Sequence, residues 1–346
     1  MPASIFSWLY DWRHLVEEPT SVEDVEQTVE LGSIPAFSFF FILAISAVIA
    51  TLGLLASSAA VVIGAMIIAP LMSPIIAVSY GLVARRLPLT FRSLFTVLVG
   101  TLLTIGVAFL ITEAIGWKLA GPEVIARMKP SLLDLGVALA AGAAAAYAYT
   151  RPGVSSALAG IAIAVALVPP LCTVGITLAM GEEMSVEIGL ALDIYTPKGP
   201  FLLYLTNFLG IVFASGLVFF LQYYRRRMIA LLTLILTLGT LLVVIPPLRI
   251  SMDNMLIRNQ IRRNLTVIGR SILPVDSNAR LTNLSVRIER KTVYVRCDVV
   301  SATGHITQKS IKEIRDRLSE MIERSVVLKI GIIPETVLQS TEKIKS

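Results

Sequence analysis

Two proline-bearing strings lie a hundred residues apart inside long uncharged segments. IIAPLMSP carries Pro70 and Pro74, and LVPPLCTV carries Pro169 and Pro170. Registered on Pro70 and Pro170, Leu71 meets Leu171, Ser73 meets Thr173 and, upstream, Gly53 meets Gly153. A proline inside a helix removes a backbone donor, and in a bilayer no water satisfies the freed carbonyl, so protein or a bound species must. The carbonyls expected to be freed are those of Met66, Pro70, Val165 and Ala166, four residues before each proline. Ser73 and Thr173 add hydroxyls beside them. Asn207, in LTNFLG, is the carboxamide deepest in an apolar segment. A buried amide in lipid needs partners, so Asn207 is expected to face the bundle interior. The candidate substrate-binding set is therefore Pro70, Ser73, Pro74, Pro169, Pro170, Thr173 and Asn207. Carbonyls and hydroxyls suit a cation, whereas the N-terminal ends of half-helices suit an anion, and both remain open.

Other chemistries find little support. The two histidines, His14 and His305, lie outside the apolar segments, and His305 sits in a Gly-His string that reads as an exposed turn. HExxH, GxSxG and Walker A strings are absent, and no mid-segment lysine could activate a serine, so no enzyme is expected. Met66, Met72 and Cys172 are soft metal ligands by type, but methionine in an apolar span is far more often packing. No metal or cofactor is expected. Cys172 and Cys297 give neither a disulfide framework nor zinc spacing. Proton-coupled carriers usually keep ionisable groups within the membrane, yet Glu113 and Asp134 fall near segment ends.

The elements that must position these residues follow from composition. Of 346 residues, 55% are hydrophobic and 16% charged. Ile34 to Ala84 contains no charged residue or histidine, far more than the roughly 20 residues a helix needs to cross a bilayer. It must hold two spans, with the turn at Gly53 to Ser58. Seven spans are expected: Ile34 to Leu55, Ser57 to Ala84, Leu94 to Ile115, Leu132 to Tyr149, Val154 to Met180, Pro200 to Tyr224 and Met228 to Leu248. The fourth, GVALAAGAAAAYAY, reads as an interior helix whose small residues allow close backbone approach.

The expected fold is thus an all-α polytopic membrane bundle of about seven transmembrane helices plus a small C-terminal α+β domain. Residues 1–33 form an N-terminal interfacial segment and 34–248 the transmembrane domain. Repeat 1 covers about 34–116, repeat 2 about 132–224, and an extra span 228–248. Three spans per repeat are odd, so the second repeat is inverted; transporters built this way bind at the repeat interface, in broken helices. Residues 249–346 form the soluble domain. LTNLSVRI and TVYVRCDVV read as a hairpin, a helix starts at Thr307 with Ile311, Ile314, Leu318, Met321 and Ile322 on one face, and VVLKIGIIP reads as a buried strand.

Within 1–33, seven acids accompany one arginine, unlike a secretory leader, and Ile5, Trp8, Leu9, Trp12, Leu15 and Val16 form a stripe suited to the headgroup region. Placing the N-terminus in the cytoplasm keeps Arg85, Arg86, Arg92, Arg151 and Arg225 to Arg227 inside. An inner (plasma) membrane location follows, with lipids as partners and a homo-oligomer compatible. The +6 net charge lies mostly after Arg249 and suits anionic lipid rather than nucleic acid.

IGAMIIAPLMSPI from Ile63, RPGVSSALAGIAIAVALVPPL from Arg151 and LTNFLGIVFA from Leu205 resemble the prokaryotic membrane-protein family catalogued as domain of unknown function 389, an uncharacterised hydrophobic domain. The resemblance covers about residues 40 to 225. It implies a multi-spanning bacterial membrane protein and no particular substrate. Many members carry their soluble part before the spans, whereas here it follows them. The expected function is a secondary transporter or channel for a small solute or ion, with its site between broken helices 2 and 5. The alternative is a non-transporting scaffold or sensor acting through the C-terminal domain.

Overall fold

The computed structural model describes residues 20–116, 119–151, 156–181, 185–186, 197–224, 228–272, 280–289, 292–301, 308–322 and 324–334. The tryptophan stripe, the Gly53–Gly153 pairing, His14 and His305 therefore fall wholly or partly outside the described residues, as do Arg225 to Arg227. The chain divides into two compact units, one holding residues up to 185 and 195–249, the other 186–194 and 250–346.

In the first unit, α1 (Val22–Gly32) opens with Ser21, whose side chain accepts from the Asp24 amide at 3.1 Å. Glu23 and Asp24 in its first turn suit the positive end of the helix dipole. Val25 and Val29, one turn apart, are its buried contacts. Next comes α2 (Phe37–Leu55), closed by a turn in which Ser57 takes φ 53°. Two short helices follow, α3 (Ala59–Ile68) and α4 (Met72–Ala84), with 55° between their axes. The long α5 (Leu87–Ile115) ends on Gly116 at φ 67°, a left-handed position that glycine adopts at little cost.

After the short α6 (Pro122–Arg127), α7 (Leu132–Tyr149) starts with a capping box in which an Asp134 carboxylate oxygen accepts from the Ser131 amide at 2.8 Å. Asp134 is thus a helix cap. Then come α8 (Ser156–Met180), α9 (Lys198–Phe219) with a π-helical turn over Phe220–Tyr224, and α10 (Met228–Ile272). All seven expected segments contain helix, but by length and apolarity five of the described helices can span a membrane, or six with α3 and α4 as one bent span. These are α2, α5, α7, α9 with its π turn, and α10 as far as Arg249. In α8 the described apolar stretch is Leu167–Met180.

The buried centre of this unit is α8, against which α2, α3, α4, α5, α7 and α9 all pack. Small residues make this possible. A Cβ on Gly175 would lie 2.5 Å from the Ile105 carbonyl oxygen of α5, and one on Gly142 would lie 2.6 Å from the Ile211 carbonyl oxygen of α9. The alanine-rich α7 is interior on one face only. Ala138, Ala141, Ala145 and Ala146 are buried, while Leu133, Val137 and Tyr147 are exposed.

The second unit has its own core. β1 (Arg280–Glu289) pairs antiparallel with β2 (Thr292–Ser301), which pairs in parallel with β3 (Ser325–Pro334). The β2–β3 connection carries α11 (Gln308–Ile322), as a parallel pair requires. Val293, Val295 and Cys297 alternate inward from β2 and meet Ile314, Leu318 and Ile322 of α11, with Ile261 and Leu265 from the end of α10. Met321, expected on the same face, is exposed: the inward residues of α11 recur every fourth position, and Met321 falls off that row.

Candidate functional site

The first proline string breaks its helix for a local reason. Pro70 has no N–H, and its ring disfavours helical backbone at the preceding residue. Ala69 accordingly takes φ −65°, ψ 124°, and α3 ends at Ile68. The Ala69 amide donates to the Met66 carbonyl at 3.3 Å, so that carbonyl, expected to be free, has a partner. Pro74 plays a different part. It lies in the first turn of α4, where a missing N–H costs little, and it is buried. Ser73 beside it is half-buried, against Gly32 and within hydrogen-bonding reach of the Tyr149 hydroxyl.

The second string departs from expectation: α8 runs unbroken through Pro169 and Pro170. Its threonines donate to the helix's own backbone, at carbonyls other than those of Val165 and Ala166, which the prolines free. Thr173 Oγ1 donates to the Pro169 carbonyl at 2.8 Å, and Thr177 Oγ1 to the Thr173 carbonyl at 2.9 Å. Leu167 to Thr177 is buried throughout, so packing on every side opposes a bend. The Thr173 hydroxyl is therefore engaged within its helix.

The two strings do share one interior. Ala69, Leu71 and Met72 from the break and Leu167, Val168, Leu171 and Cys172 from α8 belong to the same buried apolar cluster. The thiol of Cys172 donates to the Ala47 carbonyl of α2 at 3.8 Å, a structural role, and Met66 and Met72 are likewise core residues. Among the described residues no group of three or more His, Cys, Asp or Glu could hold a metal. Asn207 is 3% exposed and faces the interior as expected. One turn further along α9, Gly210 lies against Leu135 and Ala138 of α7. A small hollow of about 10 Å³, room for about one water, opens elsewhere, between α4, α9 and α10, beside Ser79, Val83, Val212 and Thr233.

Sequence reasoning missed a row of hydroxyls on α5. Ser93, Thr96, Thr101, Thr104 and Thr112 are all buried. Thr104 and Thr112 donate to carbonyls four residues back, at 2.8 Å each, whereas Thr101 Oγ1 lies 2.7 Å from the Tyr204 hydroxyl of α9. Among the described residues, buried Ser93 Oγ has no hydrogen-bond partner. The signal was their spacing of three, five, three and eight residues, which keeps them on one half of the helix circumference. A second polar link ties the Tyr80 hydroxyl of α4 to Tyr224 in the π turn at 3.1 Å, and Ser79 Oγ donates to the Val212 carbonyl at 2.9 Å.

One face of the bundle carries charge. Arg86 Nε lies 2.6 Å from Glu26 Oε1, and that hydrogen bond holds the guanidinium above its ordinary range. Arg92 Nη2 donates to the Glu30 carbonyl at 3.0 Å and to Ser33 Oγ at 2.6 Å.

Residues 66–213 match the sequence model of the family described as Domain of unknown function (DUF389), which bears out the resemblance over that stretch. The chain is also similar to an uncharacterized protein of Methanocaldococcus jannaschii, at 30% identity over 139 residues. That match covers 40% of this chain and 43% of the relative, less than half the length of either.

Proposed function

We propose that the protein moves a small solute or ion across a membrane, as a secondary transporter or channel. The observation that carries this reading is the 55° break at Pro70, whose neighbours Ala69, Leu71 and Met72 share one buried apolar cluster with the residues on either side of the proline pair of α8. A bend in a spanning helix exposes backbone dipoles where lipid offers no partner, and such irregular backbone is tolerated where it lines a path or is buried in protein. The site lies between the break and α8, with Ser73 at its edge and Asn207 lining it. Interior chemistry consists of carbonyls, hydroxyls and an amide, which favours a neutral polar solute or a single small ion over a polyvalent one.

In this reading α2 to α5 and α7 to α9 are the two halves of a three-plus-three inverted repeat, and α10 is a seventh span. The N-terminus lies in the cytoplasm, the membrane is the cell inner membrane, and no residue has a catalytic task. The test uses purified protein in lipid vesicles, with glycerol and urea swelling and with Na⁺, K⁺ and Cl⁻ flux as probes. Permeability to at least one probe is expected above that of protein-free vesicles, and Pro70→Ala and Asn207→Leu should abolish it without impairing insertion. Permeability equal to that of empty vesicles across the panel, or untouched by both substitutions, overturns the reading.

The independent core of the second unit favours a second reading, a sensor or scaffold. Truncation after Arg249 separates the two: retained flux supports transport, whereas flux that never existed and a lost cellular response support the sensor.

A further inference from the structure

We propose that α1 is a strap that closes one face of the bundle by tying the two three-helix blocks together over the Pro70 break. Its start is held by the second block. The Thr20 amide donates to the Thr150 carbonyl at the end of α7 (3.0 Å), and the Tyr223 hydroxyl donates to the Thr20 carbonyl at 2.7 Å. Its body and end are held by the first block, through Glu26 to Arg86, Glu30 and Ser33 to Arg92, and Ser33 to Thr96 (3.4 Å). Between these ties α1 packs along α4. Its last residue covers the break: a Cβ on Gly32 would lie 2.9 Å from Ser73 Cβ, so only glycine lets the strap sit this close.

The π turn completes the device. An extra residue per turn at Phe220–Tyr224 re-aims the side chains that follow, and here Tyr223 reaches the strap while Tyr224 reaches Tyr80 of α4. The strap itself is lightly docked, with Val25 and Val29 as its buried side chains and Glu23, Asp24, Gln27, Glu30 and Leu31 outward. A few polar ties over a small apolar contact hold a segment that must also let go. Separation of the blocks on this face requires the Thr20 ties or the Glu26–Arg86 pair to break. The gating role rests on the proposed transport, but the closure itself is measurable without it.

The experiment measures how fast an impermeant maleimide modifies Ser73→Cys in the full-length protein in sealed vesicles of both orientations. The parent, whose Cys172 and Cys297 are both buried, sets the background. Labelling should be slow with the strap intact and accelerate at least fivefold, from one side only, on adding Glu26→Arg. The double exchange Glu26→Arg with Arg86→Glu should restore slow labelling, and Gly32→Ile, which lifts the strap by bulk, should accelerate it without any change of charge. Equal rates in all variants, or acceleration that the double exchange leaves in place, overturn the strap. Flux measured on parallel vesicles that hold the same strap variants with Ser73 retained keeps the two readings apart: flux without a labelling change refutes the strap alone, and a labelling change without flux refutes transport alone.

Discussion

Gly142 is where the packing of α7 on α9 can be tested most sharply. A methyl group there would meet the Ile211 carbonyl oxygen at 2.6 Å and the Ile211 Cα at 2.8 Å, both backbone atoms. Ordinary contact begins near 3.4 Å, so Gly142→Ala forces the two helices apart by about 0.8 Å. No rotamer change can relieve the clash, because a backbone has none. Overpacking of this kind costs about 1–3 kcal/mol, or a fall of roughly 1–4 °C in Tm for a protein of this size. Gly136, on the same helix, is the control: a Cβ there meets nothing within 4 Å. Gly136→Ala removes a flexible residue from a helix and should leave Tm unchanged or raise it by the propensity gain, at most about 1 kcal/mol. Thermal unfolding of both variants in detergent, followed by the exposure of buried cysteine to a thiol dye, makes the comparison. A Gly142→Ala protein as stable as Gly136→Ala would refute the close approach of α7 to α9.

Two further outcomes follow from groups away from the prolines. In the second unit, burial and then the neighbouring Asp298 push the Cys297 thiol up to about 11. The reactive thiolate is therefore scarce at pH 8, and alkylation of the folded Cys172→Ala protein should rise roughly tenfold per pH unit up to about pH 10; a rate that levels near pH 8.5, the ordinary thiol value, refutes this burial. Between α5 and α9, a double-mutant cycle with Thr101→Val and Tyr204→Phe should give a coupling of about 0.5–1.5 kcal/mol in unfolding free energy, and zero coupling would deny that their hydroxyls bond.

Much of the architecture could be read from composition because apolar length and period-two alternation are properties of a segment taken by itself. The helix-bearing stretches, the turn at Ser57 and the strands of the second unit all follow from such local signals. What composition left out was anything decided between segments. The α5 hydroxyls, the strap contacts and the π turn depend on which face meets which neighbour, and α1 lies within 1–33, where the tryptophan stripe is the stronger apolar signal. Its Ser21–Asp24 cap and the Val25–Val29 pair were the local signs that a helix starts there.

The paired prolines mark the boundary between the two kinds of information. In sequence they look equivalent, and in the structure one breaks its helix while the other does not. The difference lies in what surrounds each proline. At Pro70 the helix before it, Ala59–Ile68, is short, with Val61, Ile63, Ile67 and Ile68 exposed, so bending disrupts little packing. Around Pro169 and Pro170 every side chain from Leu167 to Thr177 is buried. A proline supplies the opportunity to bend, and the cost of unpacking the neighbours decides whether the helix takes it. An uninterrupted α8 beside a bent α3–α4 places the break on the first block, which is also the block that the strap covers.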